Sequence, residues 1–192
     1  LARPGGALFW PINDHPTRFS EGLATVLSVE TELFRKGMRH LAGAVTIVAT
    51  SHEGRRGGLT ATAVCSLSAE PPRVLACVNL RGTTFGMIAQ SRKMSVNVLA
   101  RHHETLARRF AKMEGDPGES PFVDEHWEQA VTGSPVLSDA TVAFDCLVDE
   151  MLVAHSHAIL IGEVKAIRLN PGAAPLVYLD GCFTSVVSPE AG

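Results

Sequence analysis

From Ala44 onward the apolar residues fall in short runs of strand length bounded by turn residues. Val45-Thr46-Ile47-Val48-Ala49-Thr50 reads as a strand, and Gly54, Gly57 and Gly58 mark a turn into a second one over Leu59 to Ser68, ended by Pro71-Pro72. Val74 to Val78, Met94 to Leu99, Ala140 to Met151, His157 to Arg168 and Leu176 to Val187 repeat the pattern, the last broken by a tight turn at Asp180-Gly181. The period changes in three places. Ser28 suits a helix N-cap, with Glu30 and Glu32 in the first turn and Lys36, Arg39 and His40 near the end, so Leu33, Phe34, Met38 and Leu41 form a stripe expected to be buried. A short helix is expected over Thr84 to Ala89 and an amphipathic one over Glu104 to Lys112, followed by a polar loop rich in Gly and Pro.

Many strands, mostly meeting through short turns, with two or three short helices, predict a mainly β fold: an antiparallel barrel closed on itself. Residues 1–28 carry Pro4, Gly5, Gly6, Pro11 and Pro16 with scattered aromatics, which suits an extended arm able to wrap a partner subunit. Residues 29–188 form the barrel domain. With 192 residues, 45% hydrophobic and 19% charged, the chain is sized for a single core.

Seventeen Lys+Arg against twenty Asp+Glu, in no long blocks, exclude the basic footprint of a nucleic-acid binder. Cys65, Cys77, Cys146 and Cys182 are too dispersed for a zinc or disulfide framework and read as small buried side chains in a reducing cytosol. No apolar stretch approaches the roughly 20 residues that span a bilayer, and the N-terminus lacks a basic segment followed by an apolar one. A soluble, cytoplasmic protein without a membrane partner is expected.

Neither a Rossmann glycine fingerprint nor a P-loop is present, so a nucleotide has to be held some other way. The segment Gly58-Leu59-Thr60-Ala61-Thr62-Ala63-Val64-Cys65-Ser66-Leu67-Ser68, taken as one strand, puts Thr60, Thr62, Ser66 and Ser68 on one face. Small side chains let a flat ligand approach the backbone; an ordinary solvent-facing Thr/Ser strand explains the same pattern. Asn79-Leu80-Arg81-Gly82-Thr83-Thr84, ahead of a short helix, suits a phosphate, though simple N-capping by Thr83 or Thr84 does as well. His155 and His157 are two apart without a third readable ligand, so no metal is expected and His157 reads as a residue at a pocket mouth. His102-His103 read as helix-entry surface, Phe110 and Tyr178 as core, and Trp127 as packing for the polar loop.

Taken in order, further pieces carry a resemblance. They are Phe34-Arg35-Lys36-Gly37-Met38-Arg39, the Thr60 to Ala63 strand with Ser66, Ser68 and Pro71-Pro72, and Val78-Asn79 with Thr83-Thr84. Ser91, Val96-Asn97-Val98-Leu99, Phe110-Ala111, Thr132-Gly133-Ser134-Pro135, Ser156-His157 and Pro175 to Tyr178 with Gly181 and Phe183 follow. The set, from about Phe34 to Phe183, resembles the flavin reductase-like family, small reductase partners of two-component flavin-dependent monooxygenases. The resemblance implies a split barrel, usually a homodimer, that binds FMN or FAD and reduces it with NADH or NADPH. It places Thr60, Ala61, Thr62, Ala63, Ser66 and Ser68 at the isoalloxazine and ribityl chain, and Asn79, Arg81, Gly82, Thr83, Thr84 and Ser91 at the phosphate end. Phe110 and Tyr178 match aromatics near the pocket, and His157 the histidine near the nicotinamide. The chain departs from the family pattern at Arg92 and Met94, where Arg92 and Lys93 add two cations beside the phosphate or adenosine, and at His155.

The expected reaction is hydride transfer from nicotinamide C4 to flavin N5, with the protein supplying stacking and orientation, and reduced flavin passing to a partner monooxygenase. Two other readings stand beside it. One is a flavin-binding store or sensor without turnover on the same barrel; the other is an FMN-dependent reductase of another acceptor, such as a corrinoid.

Overall fold

A run of residues such as Val45 to Thr50 is apolar on both sides because both of its faces are covered. The computed structural model describes residues 28–112, 114, 119–122 and 126–186, so the expected arm lies outside the described residues except for Ser28. Helix α1 spans Thr31–Arg39, and strands β1 to β5 span Gly43–Ala44, Thr46–His52, Arg55–Ala61, Val64–Ala69 and Pro72–Asn79. Helix α2 (Thr83–Ser91), strand β6 (Lys93–Val98), a 3-10 turn (Arg101–His103) and helix α3 (Glu104–Phe110) follow. Strands β7 (Trp127–Gln129), β8 (Pro135–Leu137), β9 (Val142–Ala154), β10 (His157–Leu169), β11 (Leu176–Leu179) and β12 (Cys182–Ser185) complete the order.

Seven strands make one sheet in the order β3-β2-β6-β9-β10-β5-β4, beside the small sheets β1-β11-β12 and β7-β8. Side chains of β2 alternate between two cores. Val45, just before it, with Ile47 and Ala49 joins Leu99, Leu106, Phe110, Leu137 and Leu176 beneath α3; Val48 joins Val74, Val78, Ile88, Met94 and Leu160 beneath α2. Buried Asn97 ties the halves to the β8 ribbon: its Nδ2 donates to Ile47 O at 3.1 Å and its Oδ1 accepts from Leu137 N–H at 2.9 Å.

The expected mainly β, split-barrel architecture is the one observed, with two corrections. The segment from Leu59 to Ser68 is not one strand: it breaks at Thr62-Ala63, and its halves lie at opposite edges of the seven-stranded sheet. Two residues span only about 7 Å, so the chain itself holds these edges together. No ladder pairs β3 with β4 among the described residues, so the barrel is split there instead of closed. Cys77 N–H donates to Ala63 O at 2.9 Å, extending the β4–β5 ladder by one residue, and at the end of β3 Thr46 Oγ1 donates to Ala61 O at 2.7 Å.

Helix α1 forms, but Ser28 does not cap it; Glu30 holds the N-cap position without a side-chain bond. Its apolar stripe is not buried: Leu33, Phe34, Met38 and Leu41 are 64%, 60%, 47% and 68% exposed, because nothing in the described chain folds over the helix. Of the cysteines, Cys146 is buried, its thiol pushed up to about 12 by burial and then by Asp145. Cys77 is half-buried and Cys65 and Cys182 are exposed, correcting the uniform burial expected. His102 is exposed as expected, whereas His103 is buried: its Nδ1 accepts from Ala100 N–H at 3.1 Å, and burial pushes its imidazole below the ordinary value. Trp127 packs against Phe122 and Phe110, as expected for the polar loop. Among the described residues no helix is long and apolar enough to cross a membrane.

Candidate functional site

The split carries a cavity of about 600 Å³, within the ordinary range for a small-molecule site. One wall is β3 and its continuation, Gly58 to Ala63; the other is Cys77 and Asn79 of β5 with His157 of β10. As an edge strand, β3 leaves alternate N–H and C=O groups unpaired along this wall.

Antiparallel register brings His157 beside the 79–84 loop, since His157 pairs with Asn79 and Ala158 with Val78. Leu80 N–H then donates to Ser156 O at 3.0 Å, locking loop and turn together. Asn79 shapes the loop: its Oδ1 accepts from Arg81 N–H at 2.9 Å and its backbone carbonyl from Gly82 N–H at 3.3 Å. The turn delivers the chain into α2 with Gly82 at the N-cap and no side-chain cap bond. Neither Thr83 nor Thr84 caps the helix, and Thr84 Oγ1 instead donates to Gly58 O at 3.0 Å. The first-turn amides of α2 thus stand uncapped by side chains at the cavity, with Arg81 and Lys112 beside them. Amides, helix dipole and two cations together favour an anion.

Helix α3 supplies an apolar floor. Thr60 Oγ1 donates to Ala107 O at 2.7 Å, anchoring α3 to β3. A Cβ at Gly58 would lie 2.5 Å from Phe110 Cε1, so the absent side chain is what lets the ring approach the strand. Phe110 is held edge-on by Phe122, ring centroids 4.8 Å apart, with Trp127 5.6 Å from it on the far side of the cavity floor. At the mouth, exposed His157 shares a 2.9 Å hydrogen bond between Nδ1 and Ser156 Oγ.

The cavity thus gathers Thr60, Ala61, Thr62, Ala63, Asn79, Arg81, Gly82, Thr83, Thr84, Phe110 and His157. Ser66, Ser68, Ser91 and Tyr178 do not line it. The break at Thr62-Ala63 carries Ser66 and Ser68 onto β4, where Ser68 Oγ donates to Pro71 O at 2.6 Å. Ser91 meets Thr50 Oγ1 at 3.0 Å at the C-terminal end of α2, about 12 Å along the helix from Thr83. Arg92 and Lys93 share that far end, Arg92 Nη2 donating to Asp149 O at 2.9 Å, while Met94 is core. Tyr178 stacks edge-on with Phe183 on the β11–β12 hairpin. Sequence reasoning missed Cys77, Ala111 and Lys112, and it singled out the segment that Gly58 and Leu59 open without assigning those two a contact. For Cys77 the signal was present, because it lies two residues before Asn79 and shares its face; for Lys112 there was none.

The arrangement suits a flat conjugated ring between backbone and Phe110, a phosphate at α2 and a second ring near His157. It contains no pair of acids or bases poised for proton transfer among the described residues.

Comparison with known proteins agrees. The family described as flavin reductase like domain matches residues 38–186. Over 153 residues the chain is 37% identical to the FMN reductase (NADH) RutF of Pantoea ananatis, covering 80% of each. The solved flavin reductase PheA2 superposes with a TM-score of 0.76 at 31% identity, over 83% of this chain and 100% of that one. Nitrilotriacetate monooxygenase component B from Mycobacterium thermoresistibile gives 0.75 at 26% identity, over 84% and 88%.

Proposed function

This chain belongs to the flavin reductase-like family, and we propose that it is an NADH-dependent FMN reductase that supplies reduced flavin to a separate oxygenase. The observation that carries the reading is the single cavity at the split, where backbone edge, anion-binding helix start and histidine converge. NADH and FMN are the cofactors named for the Pantoea ananatis relative. A compact phosphate end, with one helix start, Arg81 and Lys112, suits the single phosphate of FMN; the Arg92 and Lys93 cations lie at the other end of α2. The oxygenase is supported by a structural neighbour that is itself a monooxygenase component.

The fit of a flavin rests on the free edge of β3, the uncapped start of α2 and the approach that Gly58 gives Phe110. Thr60 to Ala63 hold the ring's polar edge through the backbone, and Phe110 backs it. Arg81 and Lys112 neutralise the phosphate, and Thr83 with the backbone amide of Thr84, whose hydroxyl is engaged by Gly58 O, hydrogen-bonds it. His157 orients the nicotinamide and keeps water from the mouth. Bound there, a flavin would supply the two-electron redox chemistry between reduced nicotinamide and the acceptor. The protein's contribution is proximity and alignment, which needs no acid/base pair.

Helix α1 supports a homodimer. A helix of nine residues is marginal alone, and its exposed Leu33, Phe34, Met38 and Leu41 are the stripe a second copy would cover. Exposed free thiols at Cys65 and Cys182 suit a reducing, cytoplasmic setting.

Following NADH oxidation with FMN against a flavin-only control tests the activity, and parallel runs with FAD and NADPH test the choice of cofactors. Turnover well above the control, highest with FMN and NADH, is expected. Tight flavin binding without acceleration would mean a store or sensor, and equal rates with FAD would remove the phosphate argument.

A further inference from the structure

On the outer side of α3, away from the flavin cavity, three histidines converge on one carboxylate. His102 Nε2, His103 Nε2 and His126 Nδ1 lie 3.5, 3.2 and 3.9 Å from Asp139 Oδ2. They come from three places: the 3-10 turn, the residue before β7 and the turn after β8. A cavity of about 260 Å³ opens beside them.

Two buried polar atoms there have unused capacity. His103, whose side chain is only 8% exposed, has no well-aligned hydrogen bond at Nε2, and Asp139 Oδ1 has no partner among the described residues. Such atoms are costly to bury unless something else satisfies them.

The roles of the three rings differ. His103 Nδ1 accepts from Ala100 N–H, so the neutral ring carries its proton on Nε2, pointed toward the carboxylate. It therefore orients Asp139 and has no lone pair to give on that side. His102 and His126 are under no such constraint and are mostly exposed, able to turn a lone pair inward. Tetrahedral ligands at about 2.0–2.1 Å from a metal lie about 3.3 Å from one another; His102 Nε2 and His126 Nδ1 stand 3.5 and 3.9 Å from Asp139 Oδ2, so holding an ion requires the two exposed rings to turn toward each other.

We propose that His102, His126 and Asp139 bind one divalent transition metal of the zinc class, with His103 as the positioning residue behind the carboxylate. Two imidazoles and one carboxylate suit zinc, nickel or copper better than magnesium or calcium. Arg109 also lines this cavity, and its charge lowers the affinity to be expected. The ion clips α3, which carries Phe110 of the flavin cavity, to the β7–β8 ribbon. That closes the chain between residues 102 and 126, so its principal effect is on stability.

The test uses tag-free full-length protein, titrated with Zn²⁺ by calorimetry and with Co²⁺ by visible absorption. One ion per chain is expected, with the intense Co²⁺ bands of a tetrahedral site and a Tm raised by about 4 °C at ten times the Kd. His102→Ala and His126→Ala should each weaken binding by at least about tenfold, and His103→Gln by about tenfold through the carboxylate, with FMN-dependent NADH oxidation unchanged. His155→Ala serves as the control and should bind as the wild type does. Absence of stoichiometric binding, or binding that survives both His102→Ala and His126→Ala, overturns the proposal, and neither result bears on the flavin site.

Discussion

His157 is placed by backbone register and held by Ser156, so it can be removed without disturbing the walls of the cavity proposed for the flavin. His157→Ala is expected to lower kcat/KM for NADH by about tenfold while changing the FMN Kd less than about twofold. Equal loss of both, by steady-state kinetics and fluorescence titration, would move His157 from the nicotinamide side to the flavin side. Cysteine reactivity gives a second test. With its thiol pushed up to about 12, Cys146 should stay silent toward a thiol reagent until the protein unfolds, whereas Cys65 and Cys182 react at once. Cys77 lines the cavity, so FMN should slow its modification; labelling indifferent to FMN would place the flavin elsewhere. At this scale the sequence revealed most of the site. Thr60 to Ala63 were legible as a contiguous run of small or hydroxylated residues, and Asn79 to Thr84 as polar, cationic and hydroxylated residues gathered just ahead of a helix. Lys112 was not, since it reaches the cavity only through the tertiary placement of α3.

Two elements are positioned by contacts that local pattern does not encode. The strand from Leu59 to Ser68 alternates except at Val64, which falls on the hydroxylated face just past the break, and no Gly or Pro marks Thr62-Ala63, so the local pattern does not say that β3 and β4 belong to opposite edges. The ribbon β7–β8 was equally hidden, its strands being only three residues each. By contrast β2, β5, β6, β9 and β10 were readable from their apolar runs. Gly58 tests the α3 contact: Gly58→Val drives a side chain into Phe110, which should cost about 1–3 kcal/mol of stability and weaken FMN binding. Unchanged thermal unfolding and FMN affinity would show that Phe110 does not rest on β3 as described. For α1 the amphipathic pattern was legible but its cover was not, because a sequence shows that a face is apolar and not what lies on it. Phe34→Glu, in a stripe that is 60% exposed at that residue, should leave the fold intact yet shift the protein from dimer to monomer in analytical ultracentrifugation. A wild type that sediments as a monomer removes this role for the helix.

For the molecule as a whole, the unjoined edges matter more than any one residue. The seven-stranded sheet ends at β3 on one side and β4 on the other, and the cavity lies beside the link between those edges, lined by β3 and by β5 and β10 beyond the start of β4. A flavin seated there touches β3 on one wall and β5 and β10 on the other, taking over part of the connection that backbone pairing leaves unmade. Binding confined to the native state stabilises it by about 2.7 kcal/mol at a hundred times the Kd, which for a chain of this size raises Tm by roughly 8 °C. The distribution of that gain is the sharper test. Hydrogen exchange should slow along β3, at Cys77 to Asn79 and at the first turn of α2, while the β11–β12 hairpin and the β7–β8 ribbon, which do not line the cavity, keep their rates. Protection on one wall alone would mean that the ligand lies on the sheet's surface, and the split would then be an accident of topology with no part in binding.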